Sequence, residues 1–287
     1  MGQLIVNADD FGLTRGVNRA IAELHRAGLL TSATLMARAA ATQDAIDIAL
    51  ATPSLGVGCH VVLVDGAPVL PLQGLSSLTN RHTGQFLPAP GPFLRRLAAG
   101  RVDSSQIEAE TAAQIAVLQA RGLRLTHIDT HKHLHMFPAV LRSILRAARA
   151  AGVRAVRNPF EPAWAIKATP GAPWLRRVQV RLLRHLEPAF RRIVAEEGFT
   201  TTSGAIGVLA TGTLDSKTVT SLLRDLPQGT YELVAHPGYN DSDLAGVRTR
   251  LHASRETERN ALQILHQFPE IELISFAAAS SPGPKAS

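Results

Sequence analysis

The chain has 287 residues, 45% of them hydrophobic and 18% charged, an ordinary globular composition with enough length to bury a substantial core. Thirty Lys and Arg against 23 Asp and Glu give a formal charge of +7. Without a basic tail, an RNA-binding motif or zinc-finger spacing, this reads as a basic surface, and nucleic acid is excluded as a partner. The one cysteine, Cys59, allows no intrachain disulfide, no stretch approaches the ~20 apolar residues of a membrane span, and the N-terminal apolar run is too short for a signal peptide. A soluble, cytoplasmic protein is the expectation.

Short β-branched runs alternate with longer helical patterns along the chain. A strand is predicted over Leu4–Ala8 and a helix over 15–27, then a strand over Ser32–Ala37 and a helix over 41–51. A third strand follows at Gly56–Leu63. Residues 64–92, rich in Pro, Gly, Ser and Thr, read as a long loop of the kind that often covers a site. The helix at 104–121 opens on Asp103, a good N-cap, and stops at Gly122. Strand Arg124–Thr130, helix 138–151 and strand Arg154–Arg157 come next, and a second Pro-rich loop covers 158–173. A helix is predicted over 173–196, followed by strand Ala205–Leu209, helix 215–225, strand Tyr231–Ala235, helix 253–267 and strand Glu272–Ser275. This alternation predicts an α/β fold: a distorted (β/α) TIM-like barrel with seven or eight mainly parallel strands. Residues 1–276 are read as one domain, and the small-residue, Pro-rich segment 277–287 as a disordered tail.

Four polar clusters fall at predicted strand ends, where such barrels carry their functional groups. They are Asp9-Asp10, His60, the run Thr-His-Ile-Asp-Thr-His-Lys-His-Leu-His-Met-Phe-Pro (126–138), and His236-Pro237-Gly238. Taken singly, Asp9-Asp10-Phe11-Gly12 is an equally good turn and His60 a hydrogen-bonded core histidine. The long run is different. In extended backbone His127, Asp129, His131, His133 and His135 share one face, and such a face is costly to bury unless it is paired or holds a divalent metal. His133 and His135 lie past the predicted strand end, so alternation no longer fixes their direction.

Asn-Ala-Asp-Asp-Phe-Gly (7–12), Gly-Cys-His-Val-Val-Leu (58–63), the 126–138 run and Ala-His-Pro-Gly (235–238) occur in that order and resemble the YdjC/ChbG-like carbohydrate deacetylases. Val-Asp-Gly-Ala-Pro-Val-Leu-Pro (64–71), Ala-Val-Arg-Asn-Pro-Phe-Glu-Pro (155–162) and Gly-Thr-Leu-Asp (212–215) also resemble the hopanoid-biosynthesis-associated HpnK branch. The resemblance implies one divalent metal, Mg²⁺ or Zn²⁺, held by Asp10, His60 and His131, with Asp9 as general base and His236 as general acid. Cys59 and Thr130 depart from the residues usual beside those ligands, and neither removes one. His127, Asp129, His133, His135 and Arg157 are expected around the ligands or against substrate.

The implied reaction is removal of an N-acetyl group from an amino sugar, either chitooligosaccharide-like or an N-acetylglucosaminyl hopanoid lipid. A metal-dependent phosphoesterase and a non-catalytic sugar- or metal-binding protein are the competing readings. A glycosidase is disfavoured, since adjacent Asp9 and Asp10 cannot flank one glycosidic bond. Trp174, Val178, Leu182, Leu186, Ala189, Phe190 and Ile193 form an apolar stripe within 173–193, among arginines. The favoured reading is a barrel helix packed inward. The alternative is peripheral contact with the inner membrane face. A homodimer is also compatible with the sequence.

Overall fold

The structure, a computed structural model, describes residues 2–279. Among these residues, seven parallel strands form the sheet: β1 (Gln3–Phe11), β2 (Ser32–Leu35), β3 (Gly56–Val61), β4 (Ile128–Thr130), β5 (Gly204–Ile206), β6 (Thr230–Ala235) and β7 (Glu272–Leu273). Their order is β4-β3-β2-β1-β6-β5, with β7 added to the start of β1. All but the first residue of β1 are buried, and β2 and β3 are buried throughout. The continuous apolar runs that predicted these strands therefore reflect cover on both faces.

The strand expected at Arg154–Arg157 is reduced to two single bridges, Ile128 with Val156 and Ala155 with Thr200. Pro159 and Pro162 follow at once and cannot donate to a ladder. These bridges, with Ala205 N–H donating to the Phe160 carbonyl at 3.2 Å, carry the curled sheet from β4 round to β5 as a distorted barrel. The strand expected at 205–209 is cut at Gly207, whose φ of 86° turns the chain out of the sheet.

Helices cover the outside as the sequence predicts, including Arg15–Arg26, capped by Thr14, and Ser104–Gln119, where Asp103 accepts from Ser105 N–H at 2.8 Å. A helix at Pro90–Ala98 is additional, as is a short one at Ala163–Lys167 inside the second Pro-rich loop. The helix expected over 173–196 divides into Trp174–Leu183 and Glu187–Glu196, joined by a tighter turn. Pro188 removes a donor that a continuous helix needs. Phe190 and Ile193 of the second piece are buried, whereas Trp174 is 70% exposed and Leu182 63%. The inward stripe thus holds only for the C-terminal half. One principal apolar cluster runs from Leu4 to Leu265. Ala277–Ala279 continue a short helix from Phe276; the remainder of the expected tail lies outside the described residues.

Candidate active site

The ends of β1, β3, β4 and β6 bring the predicted polar clusters together. Neighbours on a strand face opposite ways, so Asp9 and Asp10 could not both serve one site on a regular β1. A bulge resolves this. Between the pairs Ala8–Ala33 and Phe11–Leu35, β1 advances three residues while β2 advances two, and Asp10 takes φ 63°. Asp9 and Asp10 consequently both reach His60 and the residues around it.

Three donor atoms converge. Asp10 Oδ1 lies 3.5 Å from His60 Nε2 and 3.3 Å from His131 Nδ1, and the two nitrogens are 3.3 Å apart. Metal–ligand bonds of about 2.0–2.2 Å set at tetrahedral angles separate donors by roughly this distance. Asp10 Oδ1 is buried and accepts no hydrogen bond, while Arg255 Nη2 holds Oδ2 at 2.5 Å. Asp129 Oδ1 takes His60 Nδ1 at 2.7 Å, leaving Nε2 facing the other two donors. A carboxylate behind a ligand imidazole is what fixes its tautomer and aim. Asp9, His60 and Asp129 form a second convergent group. That one is occupied by a guanidinium: Arg157 reaches Asp9 at 2.6 Å, Asp129 at 2.5 Å and Glu232 at 2.6 Å.

The charge balance also fits a divalent cation. Among the described residues, Asp9, Asp10, Asp129 and Glu232 meet two guanidinium groups, Arg157 and Arg255. Fully ionised, the four carboxylates exceed the two guanidinium groups by two charges, of which a protonated His60 covers one. Burial opposes ionisation of Asp9, but Arg157, His60 and His236 outweigh it and hold the carboxyl well below the usual range. Burial likewise opposes ionisation of Asp10, and Arg255 with His131 and His60 overcomes it. Burial works against a charged His60, yet Asp129, Asp10 and Asp9 push the imidazole up to about 10. Three carboxylates therefore demand positive charge at the point where the donors meet.

His236 stands on the far side of Asp9, with Nε2 3.8 Å from Asp9 Oδ2 and Nδ1 3.4 Å from Glu258. Glu258 also takes the His236 backbone N–H at 2.6 Å, so it holds the turn that carries this histidine. The alternating face of the 126–138 run ends at Thr130. Lys132 and His133 adopt φ 60° and 54°, and the chain coils through His131–Met136. Left-handed backbone at two successive non-glycine residues is strained and re-aims each side chain.

As a result the histidines separate. His127 stacks on Phe276 with ring centres 3.8 Å apart and accompanies neither candidate ligand group. His135 is buried against Thr130 Oγ1 at 2.7 Å and beside Phe190. Burial, with Arg157, lowers His133 to about 3, so it is neutral. It lines a cavity of 230 Å³ with Leu134, Phe160, Glu161, Val180 and Leu183. Arg255, Glu232, Glu258 and Glu161 were not anticipated. Glu232 had a signal, being a lone carboxylate within the apolar run Tyr231–Ala235; Arg255 lies among the charges of helix His252–Ala261 and had none.

The model of the YdjC-like protein family matches residues 3–265. The chain belongs to this family. A human protein named carbohydrate deacetylase is 33% identical over 250 residues, covering 83% of this chain and 75% of its own. A Brevibacillus brevis protein of the same name is 43% identical over 146 residues, a match that spans 51% of this chain and 55% of that protein. The solved structure of a candidate cellobiose-phosphate cleavage protein from Enterococcus faecalis superposes with a TM-score of 0.76 at 23% identity, covering 98% and 99% of the two chains. That likeness concerns the fold, and it supports the distorted barrel for this YdjC-like chain.

Proposed function

We propose that this YdjC-like protein is a metal-dependent carbohydrate deacetylase that hydrolyses the N-acetyl group of an amino sugar. The observation that carries the reading is the triangle of Asp10, His60 and His131 with the second aspartate, Asp9, beside it. A divalent ion held by that triangle would supply Lewis acidity to an amide carbonyl and to water. The donor set suits zinc by its two imidazoles, and magnesium is the competing choice.

Asp9, kept ionised by Arg157, accepts the proton of the attacking water. His236, across Asp9, delivers a proton to the departing nitrogen; acetic acid and a free amine leave, and the proton that Asp9 took from water passes back to His236, 3.8 Å away. Arg157 fixes Asp9 in a two-pronged grip. Asp129 aims His60. His133, neutral, stands in the cavity wall, where it would meet substrate. The cavity's apolar wall, with Leu134, Phe160, Val180 and Leu183, would suit a lipid-linked amino sugar of the hopanoid kind suggested by the HpnK-like segments, and its Lys132, Glu161, Arg176 and Arg184 the hydroxyls of a chitooligosaccharide.

The test is acetate release from chitooligosaccharides, N-acetylglucosaminyl lipids and phosphate esters, the last read by phosphate. Asp9→Asn is expected to retain metal and lose at least about a hundredfold in kcat, and His131→Ala to lose metal itself. Full turnover in Asp9→Asn would end the assigned roles, and phosphate release without acetate would move the protein to another class.

A further inference from the structure

The helix Trp174–Leu183 has two faces with different duties. Arg176, Gln179, Val180, Leu183 and the following Arg184 recur at helical spacing and line the 230 Å³ cavity. Trp174, Leu175, Val178 and Leu182 fall on the opposite face, exposed by 70%, 63%, 44% and 63%. Large apolar side chains are seldom left contiguous and in water without a partner. Along the segment itself the charges have one sign, as far as Glu187, which pairs with Arg184 at 3.8 Å. From Pro162 to Leu186 the sequence holds Lys167, Arg176, Arg177, Arg181 and Arg184 and no acidic residue. Lys167 and Arg181 are exposed, and Arg181 is on the same helix as the apolar face. No helix among the described residues is long and apolar enough to cross a membrane.

We propose that the face of Trp174, Leu175, Val178 and Leu182 docks this protein on an anionic lipid surface. A short helix with an apolar face, an interfacial tryptophan and a cationic surround binds in the headgroup plane, by burying its apolar face and by attraction to acidic lipids. The charge pattern selects this occupant over a second copy of the chain. Two such helices brought together about a twofold axis would oppose arginine to arginine, whereas an anionic bilayer complements them. Because the inner face of the same helix lines the cavity, docking brings that cavity next to lipid. The inference rests on the surface and stands whichever sugar the active site takes.

Co-sedimentation with phosphatidylglycerol-containing vesicles, against pure phosphatidylcholine vesicles, tests it on the full chain. Binding to the anionic vesicles, weakened by salt, is expected, with Trp174 fluorescence quenched by brominated lipid. The double variant Trp174→Ala, Leu182→Ala should keep its thermal midpoint and lose roughly tenfold or more in vesicle partition. Absence of binding to anionic vesicles, or binding the variant does not diminish, overturns the proposal. So does lipid-free self-association that the variant abolishes, which would give the face to a second copy. Acetate release from a water-soluble N-acetyl sugar, measured in the same variant, reports on the deacetylase reading alone and is expected to be unchanged.

Discussion

From β4 through β3, β2 and β1 to β6 the sheet is joined by continuous parallel ladders, whereas the arc from residue 154 to 206 is held by single bridges and the short β5. The regular half carries Asp9, Asp10, His60, Asp129 and His236 at its strand ends, with His131 directly after β4. Donor atoms can be held 3.3 Å apart only where the backbone beneath them is fixed on both sides. The irregular arc gives up ladder bonds, and beside it the cavity opens, walled in part by Phe160 and Glu161. One half is built for position and the other for room, and Arg157 is the side chain that crosses between them.

Removing that crossing has the largest expected effect. Arg157 is fully buried and touches three carboxylates. Burial has already raised Glu232 to about 7 despite Arg157, with Asp9 and Asp129 adding to the rise. Arg157→Ala would leave this group uncompensated, at a cost of about 3–5 kcal/mol in urea unfolding. Arg157→Lys should recover only part, because one ammonium cannot span the positions that a guanidinium fork reaches. A loss below about 1 kcal/mol would show that the two halves do not depend on this ion cluster.

A pH experiment probes the irregular arc by itself. Glu161 is buried, and burial raises it from 4.5 to about 7 against the backbone N–H groups of Leu209 and Gly207 that it accepts. The folded state therefore holds this proton more tightly than the unfolded chain does. Its stabilising contribution is complete below pH 4.5 and is lost as the pH rises through 7. The loss is on the order of 3 kcal/mol. Unfolding followed from pH 4 to pH 8, approximately the window of the shift, should show a steeper decline in the wild type than in Glu161→Gln. Parallel curves would mean that water reaches the carboxylate in the folded protein.

The regular half is also the half that sequence reasoning could see. Strands β1, β2, β3 and β6 announce themselves as apolar runs, and the clusters at their ends point to one site. The bulge at Asp10 was not visible, since nothing in Asn-Ala-Asp-Asp-Phe-Gly distinguishes a turn from a strand that carries an extra residue. Alternation placed His127 on the same face as Asp129, but alternation says nothing of depth: Gly58 and Phe276, distant in sequence, receive the His127 ring. The left-handed pair Lys132-His133 likewise has no compositional mark, as neither residue is glycine. The strand that fails at 154–157 is marked by the prolines just beyond it, Pro159 and Pro162. Partners such as Arg255 are set by tertiary packing alone.

Arg255 offers the finest test of how the regular half achieves its positions. Two devices aim Asp10: the β1 bulge sets its backbone, and Arg255 takes Oδ2 so that Oδ1 is left toward His60 and His131. Arg255 Nε and Nη1 are buried without hydrogen-bond partners, so the hold on Asp10 is the one hydrogen bond this guanidinium makes among the described residues. If the guanidinium matters for aim, Arg255→Ala frees the carboxylate to rotate. Calorimetric affinity for zinc and for magnesium should then fall about 10–100-fold, the usual cost of losing a partner behind a metal ligand. Losing a positive charge beside the cation works in the opposite direction, by removing repulsion. A fall in affinity therefore means that orientation outweighs charge at this position. Unchanged or tighter binding would assign the aim of Asp10 to the bulge alone, making the backbone of β1 sufficient to build that corner of the site.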